Sequence, residues 1–114
     1  MKRFISFCFY ITAAFSLQAN ELSPSISGKF DVGGYGLYLE CFGDKKPTVV
    51  LESGFGGYGS NGLWQKVITQ VSDSARGCLY DRAGLGKSDE GPIPFSSKDV
   101  AKRLEKLLKK SRSK

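Results

Sequence analysis

The sequence predicts an α/β fold in which an antiparallel hairpin leads into parallel strands joined by crossover helices. Residues 30–42 contain two short apolar runs separated by Gly33 and Gly34, which is typical of a hairpin. Residues 48–51 (TVVL) and 77–80 (GCLY) are compact apolar runs that suit strands buried on both faces. An amphipathic stretch follows each run, so the predicted order is β, β, β, α, β, α.

Both helices are predicted from apolar spacing. The first covers residues 61–71, where large apolar side chains recur at intervals of three and four. The second covers residues 97–110, because Ser96 stands three residues before Asp99 in a capping-box pattern and an apolar stripe follows. The apolar positions are Leu63, Trp64, Val67, Ile68 and Val71 in the first helix, and Val100, Leu104, Leu107 and Leu108 in the second.

The N-terminus has the outline of a secretory signal peptide. Lys2 and Arg3 precede an uncharged, mainly apolar run that extends to small Ala19, and the next charged residue is Glu21. We therefore predict a signal peptide over residues 1–19, a polar and irregular leader over residues 20–28, and a domain over residues 29–114. The expected location is secreted or periplasmic, with no stable membrane insertion after cleavage.

The positive charge of the chain is concentrated at its C-terminus. The formal net charge is +6, and residues 98–114 alone hold eight Lys and Arg against Asp99 and Glu105. This distribution argues against a nucleic-acid-binding face spread over the domain. It leaves open a small exported binding protein whose basic C-terminal helix lies on an anionic membrane surface.

Two cysteines, Cys41 and Cys78, remain after removal of the predicted signal peptide, and the sequence contains no histidine. A zinc site of ordinary composition is therefore not expected, and no other metal or cofactor is predicted. The absence of imidazole also means that this chain alone cannot form a Ser-His-Asp triad.

Two glycine-rich stretches suggest nucleotide binding. The stretch ending in Gly86, Lys87 and Ser88 matches the end of a phosphate-binding loop, but Asp81 occupies the position of the required first glycine, so that motif fails. The run GFGGYG, residues 54–59, matches G-x-G-x-x-G after a predicted strand, and Asp81 ends the next strand. A dinucleotide-binding module, with Asp81 accepting from a ribose hydroxyl, therefore remains an alternative.

The segments FDVGGYGLYLECFG, PTVVLESGFGG and RGCLYDRAGLGKSD together resemble the opening of the α/β-hydrolase fold. The resemblance covers residues 29 to about 110 and implies a partial α/β-hydrolase sheet. In that family a hairpin precedes a buried strand that ends in a glycine-rich oxyanion loop, and the next strand ends in an aspartate before a G-x-G-x-S turn. Ser53 stands where many members carry histidine.

The resemblance assigns roles to two loops. The backbone N–H of Phe55, next to Gly54 and Gly56, would donate to the oxyanion of a tetrahedral intermediate, and the Phe55 ring would line the pocket. The second loop would be scaffolding beside the active site, with Asp81 and Ser88 bracing it. Its glycines, Gly84 and Gly86, would permit backbone angles that a side chain resists.

The remaining catalytic parts lie outside the sequence. No G-x-S-x-G nucleophile elbow occurs, and in the family the nucleophile, acid and histidine follow the second helix. The resemblance therefore implies the truncated N-terminal part of a secreted serine hydrolase. The complete protein would act on a small ester-like substrate, and this part would be inactive by itself. The family strand order also implies a disulfide between Cys41 and Cys78, with two buried free thiols as the alternative.

Overall fold

The computed structural model describes residues 21–113, which form a four-stranded mixed sheet with a helix on each face. The elements are β1 (Ile26–Asp31), β2 (Gly36–Phe42), β3 (Thr48–Leu51), α1 (Gln65–Ser72), β4 (Arg76–Tyr80) and α2 (Ser97–Ser111), with a short 3-10 turn at Gly59–Asn61. The predicted signal peptide lies outside the described residues.

The sheet has the order β1-β2-β4-β3. Strands β1 and β2 pair antiparallel, β2 and β4 pair antiparallel, and β3 runs parallel to β4. The prediction of an antiparallel hairpin followed by parallel strands with crossover helices is therefore confirmed. Among the described residues β3 lies at the edge of the sheet, and its four residues are only partly buried. The expectation that β3 is buried on both faces is wrong for this reason.

The two helices cover opposite faces of the sheet. Leu107 of α2 is fully buried in a cluster with residues from β1, β2 and β4. Ile68 of α1 is fully buried against Phe42 and Leu79 on the other face. Gly77 of β4 permits this close approach, because a Cβ atom there would lie 2.4 Å from the Ile68 Cδ1 atom.

Several boundaries differ from the prediction, and three of the differences concern the start of a strand or helix. The leader is not irregular throughout, because Ile26 and Gly28 pair with Cys41 and Leu39 of β2. Helix α1 begins at Gln65 rather than Asn61, because the chain first makes the 3-10 turn and then passes through Gly62 at a φ of 86°. Strand β4 begins one residue earlier than expected, at Arg76. For α2 the predicted capping box is present, since the Ser96 hydroxyl accepts from the Asp99 N–H and the Asp99 carboxylate accepts from the Ser96 N–H.

The disulfide between Cys41 and Cys78 is confirmed. The two residues are direct Cα partners in the β2/β4 ladder, and both are 1% exposed. The bond links strands that are distant in sequence, with a separation of 37 residues. The bond therefore joins β2 to β4 at the centre of the sheet, on the face that α2 covers.

Candidate functional site

The two predicted loops lie beyond the carboxyl ends of neighbouring parallel strands. Strand β3 ends at Leu51 and β4 ends at Tyr80, and their ladder pairs Leu51 with Leu79 at this end. Ligands of open α/β sheets bind at this edge, because the loops that leave adjacent parallel strands meet there. The structure therefore brings residues 52–57 and 81–88 to the same edge of the sheet.

The glycine-rich loop after β3 contains a tight turn. The Gly57 N–H donates to the Gly54 carbonyl at 3.1 Å, and Gly56 has a φ of 71°, which favours glycine at the third position of a type II turn. Within residues 21–113 the Phe55 N–H donates to no acceptor. The Phe55 N–H is thus an unpaired backbone donor at the edge of the sheet, as are the N–H groups of Gly54 and Gly56 in the same turn.

The Phe55 ring packs against nothing in the described chain, since it is fully exposed. Phe55 and Trp64 both line an open cavity of about 350 Å³. The Trp64 Nε1 donates to the Ser53 hydroxyl at 3.4 Å, which joins the glycine-rich loop to the start of α1. The remaining residues that line the cavity are Gly54, Gly57, Asn61 and Leu63.

Arg82 joins the turn to the end of β4. Its Nη2 donates to the Gly54 carbonyl at 2.8 Å, and its Nε lies 3.6 Å from the Glu52 carboxylate. Glu52 also accepts from the Tyr80 hydroxyl at 2.7 Å. Burial and, next, the hydrogen bond to Glu52 raise the pKa of Tyr80 well above its usual range, so its hydroxyl stays a donor at neutral pH.

Asp81 organises the second loop from a fully buried position. Its carboxylate accepts from the Ser60 N–H at 2.9 Å, from the Ser60 hydroxyl at 2.7 Å and from the Lys87 N–H at 2.9 Å. Ser88 donates its hydroxyl to the Asp81 carbonyl and accepts from the Tyr38 N–H at 2.8 Å. These bonds connect the loop after β4 to the end of the glycine-rich segment and to β2.

The two loop glycines differ in their surroundings. Gly86 has a φ of 53°, and a Cβ atom there would lie 2.3 Å from the Asp81 Oδ2 atom. Gly84 has a φ of 80° with open space around it. Position 86 therefore favours glycine for two reasons, the positive backbone angle and the close approach of Asp81. Position 84 favours glycine because of its backbone angle alone.

The buried state of Asp81 is inconsistent with dinucleotide binding. A ribose hydroxyl needs an accessible acceptor, whereas Asp81 is 0% exposed and both of its oxygens accept from protein donors. Helix α1 also begins at Gln65, eleven residues after Gly54, so the glycines do not lead directly into the helix N-terminus that would hold a pyrophosphate. The dinucleotide alternative is therefore wrong for this arrangement.

Three further observations concern residues 21–113. No group of three or more His, Cys, Asp or Glu in this range is placed to hold a metal ion. No helix in this range is long and apolar enough to cross a membrane. The apolar stripe of α2 packs on the sheet through Leu104, Leu107 and Leu108, so this surface is not available to lipid.

Sequence reasoning missed the partners of these loops. The sequence analysis assigned no role to Ser60, Glu52 or Arg82. Each of them makes a hydrogen bond or ion pair across 21 to 30 residues of sequence. No local pattern marks such partners, because they become neighbours only when β3 and β4 pair.

Comparison with known proteins places this geometry in a known fold. No family model matches the chain. The chain is 33% identical over 91 residues to an uncharacterized vacuolar membrane protein of Saccharomyces cerevisiae, covering 65% of this chain and 14% of that protein. It is 35% identical over 78 residues to the putative carbamate hydrolase RutD of Serratia proteamaculans, covering 64% of this chain and 28% of that protein.

Among solved structures, the Cif epoxide hydrolase of Acinetobacter nosocomialis superposes with a TM-score of 0.67 and 26% identity, covering 81% of this chain and 27% of that one. Other superposing structures include an α/β-hydrolase-fold protein of Burkholderia ambifaria. The chain therefore has the opening part of the α/β-hydrolase fold, with the strands that precede the nucleophile elbow in that fold. It spans about a seventh to just over a quarter of the length of the curated relatives named above.

Proposed function

We propose that this chain is the N-terminal part of an exported α/β-fold hydrolase that cleaves ester or related acyl bonds, and that the 114-residue chain is inactive alone. The observation that carries the proposal is the unpaired Phe55 N–H, which the Gly54–Gly57 turn presents at the carboxyl edge of the sheet beside an open cavity. An oxyanion hole requires a backbone donor of this kind.

The chemistry favours acyl transfer. Attack on an acyl carbon places negative charge on the carbonyl oxygen, and one donor aimed at that oxygen stabilises the transition state by about 3 kcal/mol. RutD is described as a putative carbamate hydrolase, and a carbamate contains such a carbon. The second donor of the fold family comes from the residue after the nucleophile, which this sequence does not contain as a G-x-S-x-G elbow.

The proposal of inactivity rests on composition. Without histidine, no side chain of this sequence takes a serine proton near neutral pH as imidazole does. We expect a fluorophosphonate probe to leave the 114-residue chain unlabelled and p-nitrophenyl acetate to be hydrolysed at the background rate. Stoichiometric labelling of one serine would contradict the proposed location of the nucleophile.

The donor role of Phe55 can be tested on the chain itself by titration with methylphosphonate, an anion that stands in for the tetrahedral oxyanion. We expect the largest change in amide chemical shift at Phe55. Phe55→Pro removes the N–H at a turn position that accepts proline, whereas Phe55→Ala removes the ring and keeps the donor. Phe55→Pro should abolish the saturable changes at Gly54 and Gly56, and Phe55→Ala should retain them.

Equal responses of the two variants would contradict the donor role. In a coding sequence that continues through the elbow, the two variants should differ in activity, with Phe55→Pro lowering kcat by about 100-fold or more.

Translation of the downstream DNA in the three forward frames should show a short apolar strand that runs into G-x-S-x-G, followed later by a histidine. If no frame contains them, the proposed relation to a longer hydrolase fails.

Export is proposed from the N-terminal pattern and is compatible with the Cys41–Cys78 disulfide, since disulfides persist in oxidising compartments. Intact-mass analysis of exported material should find Asn20 as the first residue. Recovery of the full-length chain in the cytosol would contradict this part of the proposal.

A further inference from the structure

An open cavity at the opposite end of the sheet carries uncompensated positive charge. It has a volume of about 780 Å³ and lies at the amino ends of β3 and β4, where Thr48 and Arg76 are paired. The strands rise by about 3.3 Å per residue, so the cavity lies roughly 10 Å or more from the Gly54 turn. The residues that line it are Asp44, Lys46, Pro47, Thr48, Arg76 and Arg112.

Three cations meet at this cavity, and none of them has an anionic partner within residues 21–113. Lys46 precedes β3, Arg76 begins β4 and Arg112 follows α2, so three separate segments supply one charge each. Every ion pair in the described part of the chain involves other residues. Asp44 also lines the cavity, but its carboxylate lies beyond ion-pair distance of the three cations.

Arg76 is the distinctive member of this cluster. Its Nε atom is buried and has no hydrogen-bond acceptor in the described chain. A buried donor without an acceptor costs about 1–3 kcal/mol, and more for a charged group, so such donors are normally paired. The guanidinium group of arginine also matches the geometry of phosphate and carboxylate oxygens, with which it forms paired hydrogen bonds.

From these observations we propose that the Lys46–Arg76–Arg112 cavity binds a phosphate or sulfate group. The ligand balances the three positive charges and accepts hydrogen bonds from the Arg76 guanidinium group, which lines the cavity. Its chemistry is that of a tetrahedral oxyanion, which either free inorganic phosphate or the headgroup of an anionic phospholipid provides. The site does not depend on the oxyanion turn, because it lies at the other edge of the sheet.

The direct test is titration of the ¹⁵N-labelled chain with inorganic phosphate while the Arg76 Nε–H resonance is followed. We expect a saturable shift of that resonance and an affinity that falls roughly tenfold in Arg112→Gln, because a charge-assisted hydrogen bond is lost. Asp44→Asn should tighten binding, because it removes the one negative charge that lines the cavity. Lys66→Gln is the matched control, since Lys66 is exposed on α1 and its loss changes net charge equally.

A second arm distinguishes the source of the phosphate group by sedimentation with vesicles of phosphatidylglycerol and phosphatidylcholine. Binding to the anionic vesicles that Arg112→Gln weakens and Lys66→Gln retains assigns the site to a lipid headgroup, and the same pattern with free phosphate assigns it to a soluble ligand. Equal losses in the two variants indicate general charge attraction and overturn the proposal. Absence of binding in both arms also overturns it, as does weaker phosphate binding by Asp44→Asn.

Discussion

The carboxylate of Asp81 accepts hydrogen bonds from both the backbone N–H and the hydroxyl of Ser60, at 2.9 and 2.7 Å. Asp81 ends β4, and Ser60 lies in the 3-10 turn that follows the glycine-rich loop of β3. One buried side chain therefore ties together the two loops that leave neighbouring parallel strands. The Gly54–Gly57 turn is connected to this contact through the backbone between Gly57 and Ser60.

Replacement of Asp81 by asparagine should destabilise the fold. The Asp81 oxygens face the Ser60 N–H on one side and the Lys87 N–H on the other, so an amide NH₂ group must oppose one of these donors. We expect a loss of about 2–3 kcal/mol in the free energy of unfolding, measured by urea denaturation. Glu90→Gln, at an exposed position, is the control and should change stability by less than about 0.5 kcal/mol. Similar values for the two variants would contradict the structural role of Asp81.

Gly86→Ala and Gly84→Ala should differ in stability although both glycines have positive φ. At Gly84 the added methyl group meets open space, so only the left-handed backbone costs free energy, about 1 kcal/mol. At Gly86 the methyl group would also collide with the Asp81 carboxylate, which adds roughly 1–3 kcal/mol. Thermal denaturation of the two variants measures the difference, and equal melting temperatures would show that the loop shifts to accommodate the methyl group.

The disulfide between Cys41 and Cys78 should stabilise the chain by about 4 kcal/mol in the chain-entropy model, since it closes a loop across 37 residues of sequence. Denaturation of the oxidised chain and of the Cys41→Ala/Cys78→Ala double variant measures this difference.

Thiol titration of the unfolded, unreduced protein is a second test of the disulfide. A chain cleaved after Ala19 should show no free thiol, whereas an uncleaved chain retains Cys8. Two additional thiols would contradict the disulfide.

Local sequence patterns were sufficient for some elements and not for others. Strand β3 and the start of α2 were predicted correctly, because a β-branched run and a capping box are signals contained within a few residues. The start of α1 was predicted four residues too early, because the apolar spacing continues through Leu63 and Trp64 while Gly62 interrupts the helical backbone. The disulfide followed from the strand order that the family resemblance implied, rather than from any feature near either cysteine.

The candidate site was only partly predictable, because local motifs mark some of its residues and tertiary contacts bring in the others. The glycine-rich loop and Asp81 were identified from motifs, whereas the contacts that hold them, from Ser60 and Arg82, depend on tertiary pairing. The Lys46–Arg76–Arg112 cavity had no sequence signal at all, because 30 residues separate Lys46 from Arg76 and 36 separate Arg76 from Arg112. Single positive residues in loops are common in any soluble protein and indicate no site until the fold brings them together.

The Asp89 carboxylate should titrate below its usual range. A hydrogen bond from Lys29, at 2.6 Å, and then one from the Gly36 N–H lower the pKa of Asp89. Because the folded state favours the charged form, this contact stabilises the fold above the ordinary aspartate pKa and is lost as pH falls through the lowered value. Lys29→Gln should raise the pKa of Asp89 toward its ordinary value, as measured by NMR of the carboxyl carbon. Asp99, whose own lowered pKa has a different cause, should not change.

Arg82 should act as a positioning residue for the Gly54–Gly57 turn. Its guanidinium group donates to the Gly54 carbonyl, the same oxygen that accepts from the Gly57 N–H, and Glu52 holds it from the other side. Arg82→Lys retains the charge but cannot reproduce the two directed contacts of the guanidinium group. We expect hydrogen exchange at the Gly57 amide to become about tenfold faster, because the loss of a charge-assisted bond of about 1.5 kcal/mol lets the turn open more often.

Arg103→Lys provides the matched control for this prediction. Arg103, in α2, also donates to a loop carbonyl, that of Pro92 at 2.9 Å, but it makes no hydrogen bond to the Gly54–Gly57 turn. Its replacement should leave exchange at Gly57 unchanged, and urea denaturation should show that neither variant is globally unfolded. Unchanged exchange in Arg82→Lys would show that the Gly54–Gly57 hydrogen bond and Gly56 alone fix the turn. An increase at Gly57 in Arg82→Lys only would show that Arg82 holds the Gly54–Gly57 turn closed.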